Sequence, residues 1–227
     1  VFVSARDSND EIYVMSATGA NQRRITQHPG LDWRPRWSPD GLHIAFMRYD
    51  GHVPSVLVMN PDGSDVRIVV ERAESPAWSP DGREIAFVST VDGGLHRVGL
   101  HGGDSTPIAG ATSHGGAASP SWAPHGGSVA FALRDGQRSV LHVTSLETHQ
   151  TRRVDTGGAY AASPVWTSGG SHLLFTSGSG SRSSLRTARP DGTDARSLTA
   201  PGSRDDNASW LSTRVGSSRA RRRPSVW

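Results

Sequence analysis

The stretch Pro76–Ser89, which reads PAWSPDGREIAFVS, decides the fold, because its parts recur along the chain. A Trp precedes a Ser-Pro-Asp-Gly sequence, and an apolar triplet ending in Phe follows it. Pro sets φ at the first corner of a β-turn, and Gly accepts a positive φ at the end of the turn. The stretch is therefore predicted to form two antiparallel strands joined by a tight turn.

The Trp of this stretch recurs at a nearly constant interval. Five Trp residues are spaced 41, 44, 44 and 44 residues apart, and an apolar triplet ending in Phe follows each of the first four. Each of these large side chains can bury roughly 150–250 Å², so we expect them to pack neighbouring repeats together. These repeat anchors are Trp37, Trp78, Trp122, Trp166 and Trp210, with Phe46, Phe87, Phe131 and Phe175.

Two further short strands complete each repeat. In one repeat, Val56–Met59 precedes the turn Asn60-Pro61-Asp62-Gly63, and Val66–Val70 follows it. Four short antiparallel strands in 41–44 residues are typical of one blade of a β-propeller. A single four-stranded blade must stack on neighbours to bury its faces. The predicted fold class is therefore all-β, a propeller of four-stranded antiparallel blades.

The strand inventory predicts about five blades in this chain. Residues 1–26 supply the last three strands of one blade, and Asp206–Trp210 supplies one first strand. That terminal strand would close a five-bladed ring if it paired with the first three. The alternative is that the chain is a fragment of a six-bladed or larger ring. Four complete blades lie between, beginning near Trp33, Glu74, Ala118 and Ala162.

The predicted domain organisation follows from the same spacing. A propeller is expected over residues 1–210, with repeats 1–36, 37–77, 78–121, 122–165 and 166–209. The Trp, turn and triplet pattern stops after Trp210. Residues 211–227 are expected to be a basic, disordered tail.

Composition excludes several classes of function. The chain has no Cys, which excludes disulfides, thiol nucleophiles and Cys-ligated metals. No run of 18 apolar residues exists, so no transmembrane segment is expected. The net charge of +3 comes from the C-terminus, since residues 1–210 carry 19 basic and 21 acidic residues. Nucleic acid is therefore not expected as a partner.

Three stretches carry a resemblance to a known family. Ile12–Gly41, Pro76–Ser89 and Pro190–Thr199 resemble the TolB-like, WD40-like β-propeller repeat, although the Gly-His and Trp-Asp pairs of true WD repeats are missing. The resemblance implies a non-catalytic protein-interaction scaffold of the bacterial cell envelope, in the periplasm or otherwise outside the cytoplasm. Its implied partner is a protein or peptide, and no cofactor is implied.

Two alternatives share the same repeat. Similar propellers form the substrate-gating domain of prolyl-oligopeptidase-type and tricorn-like serine peptidases, and the body of carbohydrate-active enzymes such as oligogalacturonate lyases. Fold alone does not choose among these functions. No nucleophile elbow, phosphate loop or His-Glu-x-x-His stretch is present, so the sequence predicts no catalytic residue and no metal site in this chain.

The central channel is the predicted place for a binding site. The strands that run into each Trp should line the channel, and they read LDWRPRW, ESPAW, ASPSW, ASPVW and DNASW. Most of these residues are small, and the larger ones fall on the first two complete blades and the terminal strand. An exposed Trp beside Arg is typical of binding hot spots, although Trp33 could equally pack in the core. The predicted binding patch at the channel mouth comprises Asp32, Trp33, Arg34, Glu74, Asp206 and Asn207.

Overall fold

The computed structural model describes residues 1–111, 116–135, 138–157, 160–179 and 182–200. All regular elements in these residues are β-strands. In chain order the strands are β1 (Phe2–Ser4), β2 (Glu11–Val14), β3 (Arg23–Arg24), β4 (Leu31–Trp37), β5 (Ile44–Tyr49), β6 (Pro54–Met59), β7 (Arg67–Glu71), β8 (Ala73–Trp78), β9 (Glu84–Ser89), β10 (Leu95–Gly99), β11 (Thr106–Ala109), β12 (Ala117–Trp122), β13 (Ser128–Asp135), β14 (Arg138–Ser145), β15 (Thr151–Arg153), β16 (Ala161–Trp166), β17 (Leu173–Ser179), β18 (Arg182–Ala188) and β19 (Arg196–Ser197).

These strands form five antiparallel sheets, each a meander in chain order. Blade 1 contains β1–β3, blade 2 β4–β7, blade 3 β8–β11, blade 4 β12–β15 and blade 5 β16–β19. The predicted propeller fold is confirmed, including three strands in the N-terminal blade and four in each of the next four. Closure of the ring depends on Asp206–Trp210, which lies outside the described residues, so the choice between a closed ring and a fragment stays a prediction.

The predicted turns keep their backbone shape while their side chains differ. Gly41 donates its N–H to the Ser38 carbonyl at 3.0 Å and has φ of 75°. Gly170, in a turn that has lost the Pro and the Asp, donates to the Thr167 carbonyl at 2.8 Å and has φ of 68°. A positive φ is available to Gly at little cost. The Gly therefore fixes these turns, as the sequence predicted.

The core lies between the blades. Four separate apolar clusters fill the four spaces between successive blades. Each space contains an anchor Phe, and all four of these rings are at most 2% exposed. Between blades 1 and 2, for example, Ile12 and Ile25 pack with Phe46. Burial of these faces, rather than helix or strand propensity, therefore holds the blades together.

Candidate partner-binding surface of the channel

The first strands of blades 2–5 line the inside of the propeller. Each first strand contacts the first strand of the next blade: β4 contacts β8, β8 contacts β12, and β12 contacts β16. We call β4, β8, β12 and β16 the inner strands. This arrangement agrees with the prediction that the segments running into each Trp line the channel.

Every inner strand is bulged at the same place. The register with the second strand shifts by one residue between Trp33 and Arg36 in blade 2, and at the equivalent point in blades 3, 4 and 5. An extra residue of this kind re-aims the side chains around it. The residue three before each Trp has a positive φ, which is uncommon for a residue other than Gly. These four residues are Arg34 (54°), Ser75 (57°), Ser119 (49°) and Ser163 (51°).

The side chains at the bulge differ sharply around the channel. Blades 4 and 5 carry Ala-Ser pairs there, whereas blade 2 carries Trp33 and Arg34 and blade 3 carries Glu74. Arg34 is exposed, and Trp33 and Glu74 are half-buried. A backbone feature shared by four blades therefore presents large and charged groups on one side of the channel only, within the described residues.

Asp32 occupies a different position from the one expected. Its carboxylate is fully buried and accepts two hydrogen bonds from Arg48, at 2.7 Å from Nε and 2.8 Å from Nη2. Asp32 pairs with Arg48 because the two residues lie opposite each other on β4 and β5. Asp32 therefore orients Arg48 and does not offer its carboxylate to solvent at the channel mouth.

Trp33 connects the inner strand of blade 2 to blade 1. Its indole Nε1 donates to Asp10 Oδ2 at 2.5 Å, and the backbone N–H of the neighbouring Asp32 donates to the Asp10 carbonyl at 2.9 Å. These contacts fix the ring while part of it remains accessible. Trp33 therefore combines a structural contact with a surface that a partner could reach.

The rest of the predicted patch and one anchor lie elsewhere. Asp206, Asn207 and Trp210, together with the tail 211–227, lie outside the described residues. The patch that the structure describes therefore consists of Trp33, Arg34 and Glu74.

Trp37 departs from the expectation for a repeat anchor. It is 41% exposed, whereas Trp78, Trp122 and Trp166 are 6–9% exposed. The three buried Trp residues pack against the preceding blade, and Trp78 also donates its indole N–H to the Arg36 carbonyl of blade 2 at 3.0 Å. The described part of blade 1 has no inner strand, so it gives Trp37 no equivalent carbonyl or wall.

Arg36 is a second exposed group that the sequence analysis missed. It lies on the inner strand of blade 2 directly before Trp37, and its side chain is exposed. The equivalent residues of the next three blades are Ala77, Ser121 and Val165. A comparison of the repeats at this position, where blade 2 alone among the four has a charge, could have identified it.

Two features are absent from the part of the chain that the structure describes. No three His, Asp or Glu side chains converge as metal ligands would. Likewise, no helix in these residues has the length and hydropathy to cross a bilayer.

Comparison with known proteins finds similarity to TolB proteins in part of the sequence and in the fold. It is 38% identical to the Tol-Pal system protein TolB of Syntrophus aciditrophicus over 52 residues, which are 23% of this chain and 12% of that protein. The match thus spans about an eighth of the relative's length. The crystal structure of TolB from Acinetobacter baumannii superposes with a TM-score of 0.71 at 16% identity, covering 84% of this chain and 49% of that one.

The same fold also occurs in an enzyme. A puromycin-hydrolysing peptidase of Mycobacterium tuberculosis superposes with a TM-score of 0.67 at 17% identity, covering 84% of this chain and 33% of that chain. Identities this low show a shared fold and nothing about activity. The family profile described as TolB beta propeller domain, in contrast, matches residues 55–216, well over half of the sequence. The chain therefore belongs to the TolB beta propeller domain family.

Proposed function

We propose that this propeller is a non-catalytic protein-interaction module that binds a segment of a partner protein at the channel mouth of blades 2 and 3. One observation carries the proposal: Trp33, Arg34 and Glu74 stand at a bulge where blades 4 and 5 have only Ala and Ser. Trp and Arg are the residues most enriched at the centres of protein interfaces. Asp206 and Asn207 remain part of the proposed patch on the basis of the repeat.

The geometry of Arg34 supports a binding role. A non-Gly residue at positive φ costs of order 1–3 kcal/mol, and such strain persists where the surroundings or the function require it. Ser, with its short polar side chain, occupies the equivalent position in three blades, whereas Arg34 has a long side chain exposed to solvent. A bidentate guanidinium at this place suits a carboxylate of a partner, and Glu74 of blade 3 suits a cationic group.

The alternatives lead to different expectations for the same surface. In the gating propeller of a serine peptidase, the channel mouth would contact passing substrate, and the parent protein would contain a hydrolase domain. In a carbohydrate-active propeller, the channel would need convergent His residues or metal ligands. The small, uncharged inner strands of blades 4 and 5 favour neither arrangement over a protein contact.

Site-specific photo-crosslinking tests the proposal. p-Benzoylphenylalanine replaces Arg34 in the full protein, produced in its native bacterial host, and Arg153 is replaced as the matched control because it is exposed on the outer strand of blade 4. We expect a discrete crosslinked protein from position 34 and not from position 153, and loss of that product when Glu74→Ala is added. Identical products from both positions, or none, would overturn the proposed binding surface.

A further inference from the structure

A pocket of about 280 Å³ lies between blade 1 and the outer part of blade 2. One wall is apolar and consists of Val53, Leu57, Val66 and Ile68. Val66, directly before β7, and Ile68, in β7, are 42% and 56% exposed, which is high for branched aliphatic side chains. A space of this size is large enough for one small ligand, and one of its walls exposes apolar side chains to solvent.

The repeat explains why this space is open in blade 2. Leu57 lies opposite the anchor Phe46, and the equivalent residues of the next blades are His96, His142 and Arg186. Both His rings stack on their anchor Phe at 5.8 Å between ring centroids. Arg186 instead reaches the Thr156 carbonyl at 2.6 Å. A longer polar side chain thus occupies this position in blades 3–5, whereas in blade 2 the shorter Leu57 lines the pocket.

Arg48 provides a donor at the polar end of the pocket. Its Nε and Nη2 are held by the buried Asp32, and no hydrogen bond joins Nη1 to another group of the described residues. The fold does not require this pair: blade 3 has Ala73 and Ser89 at the same positions. Because a buried ion pair is weak evidence for stability, its presence in blade 2 points to a role for the oriented guanidinium.

His28 provides a second donor on the blade 1 side. Its Nδ1 accepts the Gly30 N–H at 2.9 Å, so the neutral ring carries its proton on Nε2. Asn9 holds the same loop by donating to the carbonyls of His28 and Gly30, both at 2.8 Å. Glu11 accepts the His28 N–H at 2.9 Å. The ring is therefore fixed in position before any ligand arrives.

Two neighbours of His28, Glu11 and Gly30, help to hold the loop in this position. Burial alone would raise the pKa of Glu11, but hydrogen bonds from Thr26, His28 and Arg24 outweigh it and lower the pKa, so the carboxylate stays charged. Gly30 passes the backbone of β5 so closely that a Cβ would lie 2.6 Å from the Tyr49 carbonyl. Any larger residue at position 30 would therefore displace the His28 loop.

The charges decide which ligand fits. Arg48 and Asp32 neutralise each other, and the exposed Asp50 also lines the pocket, with Oδ1 accepting the His52 N–H at 3.1 Å. The pocket thus has one uncompensated negative charge beside two donors. A simple anion is disfavoured there, and a simple cation would leave the donors of Arg48 and His28 without an acceptor.

We propose that this pocket binds a free α-amino acid with a branched aliphatic side chain. The carboxylate accepts hydrogen bonds from Arg48 Nη1 and His28 Nε2, and the ammonium group pairs with Asp50. The side chain packs on Leu57, Val66 and Ile68. The volume of about 280 Å³ is sufficient for one amino acid of this size. This proposal is independent of the partner-binding surface at the channel.

Calorimetric titration of the purified chain with L-leucine tests the proposal. We expect saturable binding of L-leucine. Binding should be at least tenfold weaker for 4-methylpentanoate, which lacks the ammonium group, and for 3-methylbutylamine, which lacks the carboxylate. Leu57→His installs the side chain of blades 3 and 4 and should abolish binding by filling the space. The double variant Asp32→Ala/Arg48→Ser installs the pair of blade 3 and should weaken binding at least tenfold.

A surface variant keeps the test valid if either core variant unfolds. Ile68 of β7 is equivalent to Arg153 of blade 4, and both residues are exposed. Ile68→Arg therefore introduces a residue type that blade 4 already has at this position. We expect Ile68→Arg to remove binding and the control Arg153→Ile to leave it unchanged. The proposal is overturned if L-leucine shows no saturation up to about 10 mM, a free energy of about −3 kcal/mol, or if Ile68→Arg binds as well as the wild-type chain.

Discussion

Blades 2 and 3 have the same backbone arrangement but different side chains at three equivalent positions. Both have four strands, the same inner-strand bulge and the same Ser-Pro-Asp-Gly turn. Blade 3 has Ala73, Ser89 and His96 where blade 2 has Asp32, Arg48 and Leu57. In blade 3, His96 stacks on Phe87, whereas in blade 2 the equivalent Leu57 lines a pocket together with oriented donors. A blade therefore forms without the Asp32–Arg48 pair and without Leu57. The different residues of blade 2 at these positions mark a candidate functional site.

The Trp that ends each inner strand shows the same contrast. Trp78 is buried against blade 2 and hydrogen-bonded to the Arg36 carbonyl, whereas Trp37 is 41% exposed. Identical residue types at identical repeat positions therefore have different energetic roles. The neighbouring blade, rather than the repeat itself, decides which Trp contributes to stability.

The largest expected difference between the two blades concerns these Trp residues. Trp78→Ala should lower the free energy of unfolding by about 3–5 kcal/mol, since it removes a buried indole and leaves a cavity. Trp37→Ala should lower it by about 1 kcal/mol or less, because much of the ring is already in water. Urea denaturation followed by circular dichroism measures both values.

Trp166→Ala provides the control for this comparison, since Trp166 is as buried as Trp78 and donates to the Ser121 carbonyl at 3.0 Å. Its cost should match that of Trp78→Ala. Equal costs for Trp37 and Trp78 would mean that Trp37 is covered in solution, and the contrast between the blades would disappear.

Much of the fold could be predicted because the same turn, apolar triplet and Trp recur in each repeat. The Gly at positive φ and the apolar triplet gave the hairpins, and the spacing of the Trp residues gave the blades. The three strands of blade 1 followed from the same pattern. Each of these predictions depends on contacts within one repeat, which sequence spacing records directly.

The candidate sites could be predicted only in part, since they depend on contacts between repeats. The sequence analysis placed Asp32 at the channel mouth because it lies in the strand that runs into Trp37, but the cross-strand register places it against Arg48. The exposure of Trp37 depends on what blade 1 presents to it. The pocket is lined by Leu57 where blade 3 has His96, and this equivalence becomes visible only when the strands are aligned in space.

The buried ion pair offers a sharper test of the comparison. Arg48→Ser alone should lower the free energy of unfolding by about 3 kcal/mol, because it leaves the Asp32 carboxylate buried without a partner. The double variant Asp32→Ala/Arg48→Ser recreates the pair of blade 3 and should lie within about 1 kcal/mol of wild type. Chemical denaturation of the wild type, both single variants and the double variant completes the cycle.

Strong non-additivity is the expected result of that cycle. If the double variant were as unstable as Arg48→Ser, the pair would be essential to the packing of blade 2. The argument that it is retained for function would then fail, while the existence of the pocket would be unaffected.

The smallest expected effect concerns Asp92, which accompanies His96 in blade 3. The hydrogen bond from the Gly94 N–H, together with smaller contributions from hydrogen bonds with Ser89 and His96, lowers the pKa of Asp92 to about 2. Because the folded-state pKa is lower than the ordinary value of 3.8, the carboxylate stabilises the fold above that pH. This stabilisation is lost as the pH falls from about 3.8 towards 2. Solvent screens the half-exposed carboxylate, so we expect only about 0.5 kcal/mol.

Thermal unfolding between pH 5 and 2, compared for wild type and Asp92→Asn, measures this contribution. The variant should be slightly less stable at pH 5 and should converge with wild type at the acid end. Thr90→Ala, an exposed uncharged change in the same loop, should run parallel to wild type throughout. A difference between Asp92→Asn and wild type that stays constant with pH would assign the effect to hydrogen bonding of the loop rather than to the charge. The stacking of His96 on Phe87 would then not depend on the charge of Asp92, just as His142 stacks on Phe131 in blade 4.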